Sequence, residues 1–244
     1  MNASLVRRAA AEAIGTGLLV AVVVGSGIQA TELSRDAGVQ LLANSFATTF
    51  GLGVLILLLG PVSGAHFNPA VSLAAWVTSR RNPDGLPLRD VAAYVSAQVA
   101  GAIGGAVLAG AMFAEPLVQF STHDRSSGHL WLGEVVATAG LILLILGLGR
   151  IGRTALAPAA VASYIGAAYW FTSSTAFANP AVTIGRAFTD TFAGIAPASV
   201  APFIAAQLLG TALGLGIVTA VYGTRTVPAR PEAAVASAQP ELAS

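Results

Sequence analysis

The tripeptide Asn-Pro-Ala occurs twice in this 244-residue chain, at 68–70 and 179–181, each time opening a short apolar segment. Asn is among the strongest helix N-caps, because its side-chain oxygen accepts a first-turn backbone N–H. Pro suits the next position, where its missing N–H costs nothing and its fixed φ is already helical. Asn68-Pro69-Ala70 and Asn179-Pro180-Ala181 therefore read as two helix starts. Both lie in a chain that is 55% hydrophobic and 9% charged, where an ordinary soluble domain carries about 25% charged residues. That composition marks a polytopic membrane protein, whose helices ordinarily begin at the bilayer surface. Two helices that begin at mid-membrane from opposite sides would frame a pore.

Apolar stretches of membrane length fall at 9–30, 39–60, 89–113, 130–149, 156–173 and 198–223, each near the ~20 residues that a bilayer requires. The two tripeptides lie between these stretches, in 61–79 and 174–190. Each is followed by a helical piece of about 11 residues, roughly 16 Å long, which is half a bilayer. The expected fold is an all-α membrane protein with six transmembrane helices and two re-entrant half-helices. Arginine placement supports this topology, since all twelve basic residues are arginine. With a cytoplasmic N-terminus, Arg7, Arg8, Arg80, Arg81, Arg89, Arg150, Arg153, Arg225 and Arg230 fall inside, and Arg35, Arg125 and Arg186 do not. The positive-inside rule is then satisfied, provided that 61–79 returns to its own side. Both termini are expected in the cytoplasm, and the protein multi-pass in the inner (plasma) membrane. Arg7 and Arg8 before an apolar run imitate a signal peptide, but the run exceeds a typical h-region and reads as a retained first helix. Residues 1–223 form one expected channel domain, and 224–244, rich in Pro, Ala, Ser and Glu, read as a disordered cytoplasmic tail.

The chain also repeats itself. Glu12 and Glu134 sit near the start of the first and fourth spans. Asn68-Pro69-Ala70-Val71-Ser72 matches Asn179-Pro180-Ala181-Val182-Thr183, and Ala97-Gln98-Val99-Ala100-Gly101 matches Ala206-Gln207-Leu208-Leu209-Gly210. Three markers in one order, separated by an odd number of spans, define an inverted duplication, with repeats at about 8–113 and 130–223. Such folds place their site at the midplane, where the half-helix N-termini meet.

Enzymatic and metal chemistry find little support. There is no cysteine, and His66, His123 and His129 are too scattered for a metal cluster. No nucleophile–base pair stands out, so neither a catalytic activity nor a cofactor is expected. A net charge of +1 argues against a nucleic-acid partner.

Asn68 and Asn179 can be plain caps, yet a cap uses only the side-chain oxygen and leaves the NH₂ to donate to a passing oxygen. Each helix start adds about half a positive charge at the same point. Glu12 and Glu134 are ionisable groups inside spans, which suggests proton coupling by default. The reading favoured here is structural: two carboxylates that accept the backbone N–H groups of the re-entrant loops. His66 reads as a loop-bracing partner, with a pH gate as the alternative. Gly101, Gly104, Gly105, Gly210, Gly214 and Gly216 read as small residues at close helix crossings. Tyr169, Trp170 and Phe171 read as an interfacial aromatic belt.

The run Ser63-Gly64-Ala65-His66-Phe67-Asn68-Pro69-Ala70-Val71, the paired Asn-Pro-Ala boxes and the Glu12/Glu134 pair together resemble the major intrinsic protein family of aquaporins and aquaglyceroporins, over about residues 8–223. The resemblance implies a homotetramer in a lipid bilayer with one pore per subunit, passing water or small neutral solutes passively. It also implies an arginine directly after the second box, and here that position is Val182. Carried along the family pattern, the other filter positions fall on Thr48, Ala167 and Ala176, so no aromatic, His or Arg is expected in the filter. Phe177-Ala178-Asn179-Pro180-Ala181-Val182-Thr183 with a delayed Arg186 resembles the bacterial arsenic-resistance-associated branch.

Arg186 lies one turn beyond Val182. It can fold back over the filter, or pair with Asp190 at i+4 or with the C-terminal carbonyls of the half-helix and face away from the pore; the local partner favours the second. The expected function is a passive channel with a wide, weakly polar filter, for glycerol-like polyols or neutral arsenite and related metalloids, with some water. The rivals are a water-selective channel, a secondary transporter and a non-conducting structural membrane protein.

Overall fold

A computed structural model describes residues 3–82 and 85–223; the tail at 224–244, with Arg225 and Arg230, lies outside the described residues. Within them every regular element is helical. Five helices are long and apolar enough to cross a membrane: α1 (Leu5–Leu33), α2 (Ala37–Ser63), α4 (Leu88–Met112), α5 (Gly128–Arg150) and α8 (Pro197–Tyr222). The sixth span, α6 (Ala157–Phe171), has 15 residues, about 22 Å, and is extended at its start by a 3₁₀ turn over Thr154–Leu156. The half-helices are α3 (Pro69–Ser79) and α7 (Pro180–Arg186). The chain is an all-helical membrane protein of six spans and two half-helices.

Local chemistry sets the boundaries. Ser4 and Asp36 cap α1 and α2 by accepting the N–H groups of Arg7 and Val39. The helix α2 ends at Gly64, whose φ of +91° suits the left-handed C-cap that glycine tolerates. Asn68 and Asn179 cap α3 and α7, each followed by Pro in the first turn. The half-helices are unequal: α3 has 11 residues and α7 only 7, shorter than the 11 expected. The backbone of α7 stops at Arg186 because Ala187 and Phe188 donate in tighter turns to Ile184 and Gly185, and the carbonyls of Phe188 and Ala187 accept the N–H groups of Gln119 and Ser121.

The duplication organises the packing. In the first repeat α1 lies along α4, and in the second α5 lies along α8. Backbones meet closely at both crossings. A Cβ on Gly101 would lie 2.2 Å from the Ala13 carbonyl oxygen, and one on Gly105 2.1 Å from that of Gly17. The corresponding distances are 2.6 Å for Gly210 to Val135 and 2.7 Å for Gly214 to Ala139. Gly104 and Gly216, expected at the same crossings, face open space instead, because neither lies on the crossing face. Outward-facing Phe46, Phe50, Leu57 and Leu58 on α2 are more than half exposed, as suits side chains solvated by lipid.

Candidate solute pathway

Both half-helices start in the interior, and their caps meet. The Asn68 side-chain oxygen accepts the Ala70 N–H at 2.9 Å, while its amide donates to the Ala178 carbonyl at 2.8 Å. Asn179 mirrors it, accepting from Ala181 and Val182 at 3.0 and 3.2 Å and donating to the Phe67 carbonyl at 2.7 Å. The expectation of a wholly free NH₂ is therefore corrected. One of its two N–H groups is held across the loops, and one remains. Asn68 and Asn179 both line a cavity of about 190 Å³ that runs along the two half-helices. Pro69, Ala70, Pro180 and Ala181 form the first turns behind them; Ala70 and Ala181 are fully buried.

The loops that deliver these caps have unusual backbones. Gly64, Ala65 and Phe67 have positive φ, and so do Thr175, Ala176 and Ala178 at the matching places before the second cap. A non-glycine residue in this region costs roughly 1–2 kcal/mol. Something must hold the loops there, and two fully buried carboxylates are placed to do so. Glu12 accepts from the N–H groups of His66 and Phe67 at 3.0 and 2.6 Å, from Ser63 Oγ at 2.6 Å and from Gln98 Nε2 at 2.7 Å. Glu134 accepts from Phe177 and Ala178 N–H at 2.9 and 2.8 Å and from Gln207 Nε2 at 2.6 Å.

Gln98 and Gln207 each donate also to the first turn of the half-helix, at Ser72 and Thr183. Their place in this bracing escaped the sequence reading, although both sit in the third duplicated marker and their matching spacing was the available signal. His66 turns its Nδ1 to Ser72 Oγ at 3.0 Å and packs edge-on against Tyr94. It also lines the cavity.

At the end of the cavity away from the N-terminus, Thr48, Ala176 and Val182 line the wall as expected positions. Ala167 does not: it is exposed on the outer face of α6. Ile165 and Tyr169 line the cavity from that helix. Ala167 is two residues from each, about 200° around the helix, and so on the opposite side. Tyr169 is correspondingly no belt residue. It is 4% exposed, and its hydroxyl lies 3.1 Å from Thr48 Oγ1, whereas Trp170 and Phe171 are half exposed.

Arg186 departs further from expectation. It makes no ion pair with Asp190. Its Nε donates to the Ala193 carbonyl, its guanidinium carbon sits 3.4 Å from the centre of the Phe177 ring, and the residue lines the cavity at 4% exposure. Asp190 is engaged elsewhere. It accepts the Thr122 N–H at 2.8 Å and the hydroxyls of Thr122 and Ser121, which pins the 113–127 loop over this face. These bonds, the backbone one first, hold the Asp190 carboxyl below its ordinary range. The physical reason for the correction is competition. A carboxylate already taken by a neighbouring loop leaves the arginine to an aromatic face and a carbonyl. The wall therefore carries a cation and two aromatic rings where none was expected.

Comparison with known proteins gives a consistent picture. A family model described as "Major intrinsic protein" matches residues 1–173. The chain is 52% identical over 213 residues to aquaglyceroporin AqpS of Rhizobium meliloti (strain 1021), covering 87% of this chain and 89% of that protein. It is 32% identical to a glycerol uptake facilitator protein of Pseudomonas aeruginosa, covering 98% and 95%. The X-ray structure of the aquaglyceroporin from Plasmodium falciparum superposes with a TM-score of 0.64 at 22% identity, over 89% of this chain and 97% of that one, a likeness of fold.

Proposed function

This chain belongs to the major intrinsic protein family, and from that premise we propose that it is a passive channel for glycerol-like polyols. It is a multi-pass membrane protein, a channel for small uncharged solutes and not an enzyme. The observation that carries the polyol reading is the amphipathic cavity wall. The half-helix side offers the Asn68 and Asn179 amides, and the facing side is Leu19, Val23, Leu52, Ile142, Ile145 and Ile165. A polyol presents hydroxyls on one edge and C–H groups on the other, so it meets donors and apolar wall at once. The names of the relatives, an aquaglyceroporin and a glycerol uptake facilitator, favour the same class.

The route is read as follows. A solute oxygen accepts the remaining N–H of Asn68 and then of Asn179, at the point where two helix N-termini each supply about half a positive charge. That field orients the solute and disfavours cations. Asn68, Pro69, Ala70, Asn179, Pro180 and Ala181 form the constriction. Thr48, Ala176 and Val182 belong to the filter, and Glu12, Glu134 and His66 support the loops. Neutral arsenite, a compact trihydroxide, falls in the same size class; the resemblance to the arsenic-resistance-associated branch supports it. We further read the protein as a homotetramer of the inner membrane, with the N-terminal face cytoplasmic according to the arginine distribution.

The test is stopped-flow light scattering on proteoliposomes with water, glycerol and arsenite, for wild type and Val182→Arg. Fast glycerol or arsenite uptake by the wild type, slowed by the arginine, is expected. Fast water flow with neither solute passing would overturn the polyol reading in favour of a water-selective channel.

A further inference from the structure

The rotation of α2 about its own axis decides which residue it shows to the cavity, and its apolar side chains do not settle that rotation. Phe46, Phe50, Val54, Leu57 and Leu58 are turned to lipid. Between helices in a bilayer apolar burial supplies no net drive, so close packing and hydrogen bonds decide. Two adjacent polar residues of α2 make such bonds to the helices that flank it, α1 and α6. Asn44 is buried, and its Nδ2 donates to the Val23 carbonyl at 2.8 Å and to Ser26 Oγ at 2.9 Å, both on α1. Ser45 is buried beside it and accepts the indole N–H of Trp170, on α6, at 3.1 Å. One turn on stands Thr48, which lines the cavity and whose Oγ1 lies 3.1 Å from the Tyr169 hydroxyl. Seen down the helix, Asn44 is about 40° to one side of Thr48 and Ser45 about 60° to the other. Thr49 adds a steric stop, since its hydroxyl fills the space that a Cβ on Gly166 would need. Asn44, Ser45 and Trp170 themselves stand outside the cavity wall.

We propose that Asn44 and the Ser45–Trp170 pair are positioning residues that fix the rotation of α2 and, through the Thr48–Tyr169 contact, set the widest polyol that the bore admits. This rests on the channel reading above. These residues touch no solute; they act by holding α2 on both flanks of the residue that does. The leverage is geometric. A turn of α2 by about 20° carries a side-chain tip, roughly 5–6 Å from the helix axis, through about 2 Å. That displacement takes the Thr48 hydroxyl out of hydrogen-bond reach of Tyr169. With the ties in place α2 keeps one rotation and the wall one width. Without them α2 samples several rotations, and those in which Thr48 and Tyr169 have parted admit broader molecules. Size discrimination in this pore is therefore governed in part from outside it, at the seams where α2 meets α1 and α6.

The experiment uses full-length protein in liposomes and reads, by stopped-flow light scattering, the flux of the branched polyol pentaerythritol relative to that of glycerol. Asn44→Leu, which keeps the side chain's size and loses its donor, is expected to raise this ratio at least about threefold, the weight of one interhelical hydrogen bond in a membrane. Trp170→Phe, which keeps a ring and loses the N–H, should raise it in the same direction. In a Thr48→Ala background neither substitution should move the ratio further, because the residue that they position is gone. A merely structural role would act equally in both backgrounds. An unchanged ratio in both N44L and W170F, or an equal rise with and without Thr48, overturns the proposal while glycerol conduction stands. Should N44L fail to fold, W170F decides alone by the same two readings. Absence of glycerol flux in the wild type would instead remove the channel reading on which the proposal rests.

Discussion

Removing the Glu134 carboxylate should unfold the second re-entrant loop. Three buried donors converge on it: the N–H groups of Phe177 and Ala178 at 2.9 and 2.8 Å and Gln207 Nε2 at 2.6 Å. Charge-assisted hydrogen bonds contribute about 1.5–3 kcal/mol each, a gross value of about 4.5–9 kcal/mol. Against this, deletion relieves the desolvation of a buried charge. Three neutral buried donors left unsatisfied cost about 1–3 kcal/mol each, and with the desolvation of the charge relieved Glu134→Ala is placed at about 3–5 kcal/mol net. The left-handed residues Thr175, Ala176 and Ala178 add roughly 1–2 kcal/mol of backbone strain each. That strain is released once the clamp is gone, which offsets part of the loss and pushes it toward the lower end. For a chain of this size, about 2–4 °C of melting temperature accompany each kcal/mol, so a fall of about 6–20 °C is expected. Purified protein in detergent, melted while tryptophan fluorescence and monodispersity are followed, measures it. Glu134→Gln, which keeps one acceptor, should fall between. A variant that melts with the wild type yet no longer conducts would refute the structural role and put the carboxylate in transport.

Further outcomes follow from other parts of the molecule. Gly105→Ala, whose Cβ would lie 2.1 Å from a backbone oxygen, should lose about 1–3 kcal/mol of stability, whereas Gly104→Ala, facing open space, should melt as wild type; equal melting temperatures would contradict the crossing. Ala167→Trp should leave glycerol flux in stopped flow unchanged, and Val182→Trp should block it; the reverse would restore the family-pattern register for α6. The carboxyl of Asp190 titrates below its ordinary range in the folded protein. Its hold on Thr122 is therefore complete above the unfolded value of about 3.9 and is lost as pH falls through the lower folded value. Hydrogen exchange at 119–123, corrected for intrinsic rates, should stay flat from about pH 8 to 5 and rise below about 4; a transition near neutral pH would refute this anchor.

The half-helix starts were legible because Asn followed by Pro is a strong local signal that tertiary context seldom overrides. Proline at 69 and 180 stands in the first turn of both half-helices. The duplicated markers were legible too, since inverted symmetry puts matching residues in matching places. The orientation of α6 was not. Ala167 was placed by counting along the family pattern, and spacing alone does not reveal which face of the helix meets the cavity, where Ile165 and Tyr169 stand. Tyr169 and Ala167 exchanged places for that reason. Arg186 was misplaced because helix periodicity offered Asp190 as a neighbour, while the segment from 119 to 123, distant in sequence, had a stronger claim on that carboxylate. The left-handed backbone at Ala65, Phe67, Ala176 and Ala178 left no trace in residue types that ordinarily avoid it.

The paired caps also constrain how this protein is made. Asn68 donates to a carbonyl 110 residues later, and Asn179 to one 112 residues earlier. While the ribosome is still delivering the second half, the first loop already lies among hydrocarbon with an amide and a carbonyl unanswered. In lipid each such group costs several kcal/mol. The first half therefore cannot settle as it is synthesised; α3 must stay loosely seated until its counterpart arrives from the other side. Maturation becomes a single late event in which both halves lock together, and a truncated chain carries an open polar wound at its centre that membrane quality control can read.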